Sequence, residues 1–226
     1  MAEFLIEVIL LKKFFVLLIS LAAILLMGCG GETAEKTEPA TNNVSAMPAQ
    51  KVGNSKILVA YFSRAGENFE VGVIEKGNTK IVAEMIAEKT GADMFEIQPL
   101  KAYPADYREC TEVAKQEQSE NARPEIVALV GNLSDYDTIF LGYPIWWSDF
   151  PMFIYTFMEK QDFSGKTIIP FCTSGGEYMT GNESEIPSIA RGSKVLKGIG
   201  IRGKDCQNKP DAVREKVNAW LAGLGY

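Results

Sequence analysis

Trp146 and Trp147 stand side by side in Thr138–Pro151 (TIFLGYPIWWSDFP), directly after an apolar run that Gly142 and Pro144 bring to a stop. Two indoles in a turn offer flat faces on which a planar ring can stack. Adjacent side chains do not both enter one core, so at least one of the pair should lie partly exposed. The other reading is that both indoles cap the hydrophobic core from a loop. Two further stretches carry groups suited to a ligand. Ser63 and, after an interruption, Asn78-Thr79 offer hydroxyls, an amide and free backbone N–H groups at a helix start, where phosphate binds well. Thr173-Ser174-Gly175-Gly176 is short-chained and glycine-rich, so its backbone can approach a ligand closely. Singly, each stretch also reads as an ordinary cap or turn, and their convergence carries the argument.

Composition narrows the chemistry. The 226 residues include no His, which removes the commonest general base, the commonest metal ligand and every Ser-His-Asp or Cys-His mechanism. Net charge is -6 with no long Lys/Arg run, which argues against nucleic acid or an anionic membrane surface as partner. Beyond Cys29, the cysteines Cys110, Cys172 and Cys206 are widely spaced, with no CxxC pair and no His to complete a metal set. Cys172, in a strand-like run, reads as a small buried hydrophobe.

The elements that must position these loops follow from hydrophobic pattern. Lys56–Phe62 (KILVAYF) is a continuous apolar strand broken by Ser63-Arg64-Ala65-Gly66. From Thr79, the positions Ile81, Val82, Met85 and Ile86 recur at helical spacing, and Gly91 fits the C-cap. Ala92–Ile97 predicts a second strand, Tyr103–Gln118 a polar helix and Glu125–Val130 a short extended piece. Thr138–Leu141 is the third strand, followed by a helix over Pro151–Lys160 and a fourth strand over Lys166–Cys172. A helix near Glu183–Arg191 and a strand near Lys194–Ile201 lead to a closing helix over Asp211–Leu221, with Val213, Val217, Trp220 and Leu221 inward. Strands alternating with helices predict a doubly wound parallel sheet, with its strand-to-helix loops on one edge.

Residues 1–28 have the shape of a signal peptide: Lys12 and Lys13, then the apolar run Phe14–Met27. Leu26-Met27-Gly28-Cys29 resembles a bacterial lipobox, which implies an exported protein held at the cell envelope through a lipid on Cys29. An uncleaved transmembrane anchor is the other reading, because Phe4–Leu11 extends the apolar character upstream. Either way the domain is expected to be tethered to a membrane. Gly30–Gln50 is rich in Thr, Glu, Ala, Asn and Pro, and residues 29–54 read as a flexible linker ahead of a domain over 55–226.

From Lys56 to the C-terminus the chain resembles the flavodoxin and FMN-dependent reductase group. The resemblance rests on Tyr61-Phe62-Ser63, Gly77-Asn78-Thr79, Gly142-Tyr143-Pro144-Ile145-Trp146-Trp147 and Thr173-Ser174-Gly175-Gly176. It implies an α/β fold with a five-stranded parallel sheet in the order 2-1-3-4-5 and FMN at the switch point. It further implies that Ser63, Arg64, Asn78 and Thr79 hold the phosphate. Pro144, Ile145, Trp146 and Trp147 would line the isoalloxazine, with Thr173, Ser174, Gly175 and Gly176 on its pyrimidine side. The family's compact phosphate loop, Ser/Thr-x-Thr-Gly-x-Thr, is interrupted here by Ala65–Lys76. A register running from Ser63 to Asn68 is therefore open beside the split one, which is preferred because Thr79 directly precedes the helical periodicity. The insertion could form a hairpin over the cofactor or a partner surface. A redox protein is expected, one passing electrons to a partner protein or a small quinone-like acceptor. An NAD(P)H-dependent quinone reductase and a cofactor-free anchored binding domain stand as alternatives. A receiver-type signalling domain is excluded, because Ser63 and Tyr143-Pro144 stand where its acidic cluster would be.

Overall fold

The computed structural model describes residues 44–49, 56–177, 179 and 182–226. The signal segment, Cys29 and most of the expected linker lie outside them. The chain forms β1 (Ser45–Met47), β2 (Ile57–Tyr61), then β3 (Gly66–Asn68) and β4 (Gly72–Ile74) before α1 (Asn78–Thr90), β5 (Asp93–Glu96) and α2 (Tyr107–Ser119). It continues through β6 (Ala128–Val130), β7 (Thr138–Pro144), α3 (Met152–Lys160) and β8 (Thr167–Ser174). The remainder is α4 (Ile186–Ile189), β9 (Lys194–Val195), β10 (Ile199–Arg202), α5 (Gly203–Asn208) and α6 (Pro210–Leu224).

The central sheet runs β5–β2–β7–β8–β10 with every pair parallel. Counted by order in the chain, that is the expected 2-1-3-4-5. Strand β2 shows why its sequence is apolar throughout. Leu58 and Ala60 enter one core with Phe153 and Phe157 of α3, whereas Val59 and Tyr61 enter the other with Val82 and Ile86 of α1 and Val217 and Leu221 of α6. The period-two alternation buries both faces of the strand, so no polar face is needed. Gly91, at φ 66°, ends α1 as its sequence predicts. Below the sheet edge, the Tyr136 hydroxyl donates to Asp93 Oδ2 at 2.8 Å, giving a buried carboxylate one of its partners.

Three expectations are corrected. The linker is not flexible throughout: Ser45–Met47 pair in parallel with Ala128–Val130, Gly131 N–H donates to Met47 O at 2.7 Å, and Ala49 is buried. The packed chain therefore starts before Ser55. The last strand is split into β9 and β10, both paired with β8. The cause is Pro170 in β8, which has no N–H to continue the ladder to the edge strand. The helix expected near Glu183–Arg191 is a 3-10 turn over Asn182–Glu185 followed by the single turn of α4, and α5 was not anticipated.

Candidate functional site

The carboxyl ends of β2, β7 and β8 open into a cleft of about 520 Å³, and the three loops singled out by composition meet there. Ser63, Arg64, Asn78 and Thr79, the Pro144–Trp147 turn, and Thr173, Ser174 and Gly175 all line it; Gly176 does not.

The first corner is built around the start of α1. Its N-cap residue, Gly77, has no side chain to cap with, and Ser63 does so from the loop after β2: Lys80 N–H donates to Ser63 Oγ at 2.9 Å. The N–H groups of Asn78 and Thr79 in the first turn have no intrahelical acceptor, so this corner favours an anion. A Cβ at residue 77 would stand 2.3 Å from Ser63 Oγ and 2.5 Å from Arg64 O, so only glycine allows the backbone this close. The hydroxyls of Thr79 and Thr173 lie 2.8 Å apart, both buried, and join the first loop to the third. Asn78 Oδ1 accepts from Gln207 Nε2 at 2.8 Å.

Arg64 lines the cleft but its donors go elsewhere. Nε donates to Pro104 O at 3.2 Å, Nη2 to the carbonyls of Pro104 and Ala105 at 2.5 Å each, and Nη1 to Glu67 O. It clasps the loop after β2 to the segment that starts α2. Between the two registers for the phosphate loop, Asn68 Nδ2 is spent inside the hairpin, on Arg64 O at 3.2 Å and Gly66 O at 3.1 Å. Asn78 and Thr79 stand at the helix start instead.

The Trp pair divides. Trp146 is partly buried, edge-on to Tyr103 at 4.8 Å and to Phe62 at 5.6 Å between ring centroids. Trp147 is 51% exposed at the cleft rim. The division follows from the backbone. Trp146 and Asp149 exchange N–H···O bonds of 2.9 and 3.0 Å around a two-residue turn in which Trp147 (φ 51°) and Ser148 (φ 63°) are both left-handed. Such turns usually contain Asn-Gly, and each left-handed residue with a Cβ costs roughly 1–2 kcal/mol. Contacts to α2 hold the turn: Trp147 Nε1 donates to Thr111 O at 2.9 Å, Gln118 Nε2 donates to Trp147 O at 3.1 Å, and Lys115 Nζ lies 5.0 Å from the indole centre.

The third loop is closed on itself and on the second. Ile145 N–H donates to Thr173 O at 2.9 Å, and Gly176 N–H donates to Ser174 Oγ at 3.1 Å.

Two further walls complete the cleft, of which the sequence offered the first, a hairpin over the cofactor or a partner surface, and not the second. The insertion forms the β3–β4 hairpin, whose tip presents Phe69 against Gly175; a Cβ on that glycine would come within 2.9 Å of the ring. The other wall is α2, through Tyr107, Cys110, Thr111 and Ala114. Their i, i+3, i+4, i+7 spacing on an otherwise charged helix was the available signal. Burial raises the Tyr107 hydroxyl above its ordinary range, and it raises the Cys110 thiol against the opposing pull of the Arg64 charge. Both stay protonated at neutral pH, so Cys110 is no thiolate nucleophile. Among the described residues no cluster of three His, Cys, Asp or Glu could hold a metal ion. Among the described residues of the lining, no side chain is set up as a nucleophile or a general base.

No curated protein matches the chain. Among solved structures, a Bacteroides uniformis protein assigned to the flavoproteins is 35% identical, with 77% of this chain and 99% of that one covered and a TM-score of 0.59. A Bacteroides eggerthii protein assigned likewise is 30% identical over 76% of this chain and 99% of its own, at 0.60. A flavoprotein in complex with FMN from Lactobacillus acidophilus is 22% identical over 71% and 98%, at 0.50, a likeness of fold. The family model for flavodoxin matches residues 56–220, from the first residue before β2 to the last helix, and the sheet order within that span is the one the family predicts. The chain belongs to the flavodoxin family.

Proposed function

We propose that the protein binds FMN in this cleft and works as a redox protein, passing electrons between a donor and a protein or small-molecule acceptor. One observation carries the reading: the open start of α1 and the half-exposed indole of Trp147 stand on the same cleft, whose lining has no acid–base or nucleophilic apparatus. FMN has the matching parts, a terminal phosphate and a flat tricyclic ring. The phosphate would meet the N–H groups of Asn78 and Thr79 and the hydroxyls of Ser63 and Thr79. The ring would lie along Pro144, Ile145 and Trp147, with the backbone of Thr173–Gly175 at its polar edge. The FMN-bound neighbour from Lactobacillus acidophilus supports the choice of flavin. When bound, the flavin supplies the electron chemistry, and the chain supplies position, a dry seat and access. Arg64 is left out of the phosphate set, because its guanidinium is committed to backbone carbonyls.

The test is to purify the protein, denature it and separate what is released. FMN at about one per chain is expected. Release of FAD, or of no flavin after incubation with FMN, would contradict the reading.

A further inference from the structure

The wall made by α2 and the hairpin tip contributes none of the residues assigned above to the flavin, yet it carries two aromatic rings of its own, Phe69 and Tyr107. Phe69 is 54% exposed, and its ring lies 6.2 Å from that of Tyr107 at 35°. Below Tyr107 the wall is small and uncharged: Cys110, Thr111 and Ala114. Trp147, pinned to Thr111, borders the same mouth. Nor is Phe69 on a loose loop. Glu67 N–H donates to Ala105 O at 3.2 Å and Tyr107 N–H to Glu67 Oε2 at 2.9 Å, while Lys204 and Glu70 pair at 3.4 Å on the far side of the tip.

Charge decides what fits. Among the described residues that line the cleft, Arg64 is the one ionised side chain, and it is already satisfied by carbonyls. The cation at the rim, Lys115, lies over the Trp147 ring and donates to Gln118 Oε1 at 3.0 Å. A dinucleotide docking here would bring a pyrophosphate to a wall with no free counter-charge, at a desolvation cost nothing offsets. An uncharged flat ring would replace water on aromatic faces at no such cost.

We propose that the Phe69–Tyr107 face is the docking subsite for an uncharged planar ring, the class to which quinones belong, and that this ring exchanges electrons with the flavin. The inference rests on the FMN reading above. The exchange balances: reduced FMN and a quinone give oxidised FMN and a hydroquinone, with two electrons and two protons passing across.

The experiment uses the full-length protein loaded with FMN, oxidised and without a donor, so that binding is read without turnover. The probes are 1,4-naphthoquinone and NADH, each followed by equilibrium dialysis, and the flavin content of every sample is measured first. If the wild-type protein holds no flavin, the FMN reading itself has failed. Given a loaded protein, saturable naphthoquinone binding is expected. It should weaken about tenfold in Phe69→Ala and in Tyr107→Ala, the scale for removing one stacking ring, and should survive in Tyr107→Phe, which keeps the ring. The subsite is overturned if naphthoquinone binds only the flavin-free protein, since the aromatic wall is then the flavin's own seat. It is equally overturned if both alanine variants bind as wild type, or if NADH competes with naphthoquinone and is weakened by the same substitutions.

Discussion

Gly77→Ala is expected to lower FMN affinity more than about a hundredfold. The added methyl would lie 2.3 Å from Ser63 Oγ and 2.5 Å from Arg64 O, and the second of these is backbone that cannot swing aside. Residue 77 has φ -65° and ψ 151°, which alanine adopts readily, so the effect is one of space and not of strain. Either the loop after β2 or the first turn of α1 must shift, and the two together form the anion corner. Hydrogen bonds to a charged group contribute roughly 1.5–3 kcal/mol each, and losing two of them amounts to about 3–6 kcal/mol, or more than two decades of affinity. The cost to the apo fold is smaller, about 0.5–2 kcal/mol for the lost cap that Ser63 provides. Titration with FMN and thermal unfolding of the apo-protein measure the two separately. A variant that binds FMN within tenfold of wild type would place the phosphate elsewhere.

The two tryptophans should respond in opposite ways. Trp147→Ala is expected to weaken FMN by about 1–3 kcal/mol, by analogy with aromatic–base stacking, and to release part of the quenching of bound flavin fluorescence. Apo stability should fall by only about 1 kcal/mol, the worth of the lost hydrogen bond to Thr111 O, because the indole is 51% exposed. Trp147→Gly should leave the apo-protein more stable than Trp147→Ala by about 1 kcal/mol, since the left-handed φ of 51° suits glycine. Trp146→Ala removes a ring packed edge-on against Tyr103 and Phe62 and should cost up to about 3–5 kcal/mol of folding stability. Paired measurements of apo unfolding and FMN affinity on the single variants decide the matter. Early unfolding in Trp147→Ala with normal FMN binding, and the reverse in Trp146→Ala, would invert the assignment.

The sheet was legible because its strands are buried on both faces and so read as unbroken apolar runs, from Lys56 to Phe62 and from Lys166 to Cys172. The loops at their carboxyl ends were legible for the same reason, since topology alone brings them to one edge. What could not be read depends on contacts remote in sequence. Arg64 looked like a phosphate ligand, and nothing near it announces that carbonyls 40 residues on will take its guanidinium. The turn that separates Trp146 from Trp147 uses left-handed backbone at two residues that disfavour it, and α2 stabilises it from 36 positions away. The α2 wall was hidden by composition. Tyr107, Cys110, Thr111 and Ala114 form a stripe on a helix otherwise dominated by Glu, Gln, Lys and Arg, which reads as solvent-facing. Strand β1 escaped notice because Ser45–Met47 has no alternation of its own and gains its pairing only from Ala128–Val130.

FMN and riboflavin carry the same ring and differ by the terminal phosphate, so titrating the apo-protein with each isolates the corner at the start of α1. If Asn78, Thr79 and Ser63 hold that phosphate, FMN should bind at least about a hundredfold more tightly than riboflavin, the equivalent of two charge-assisted hydrogen bonds. Equal affinity for the two would contradict the account at its centre.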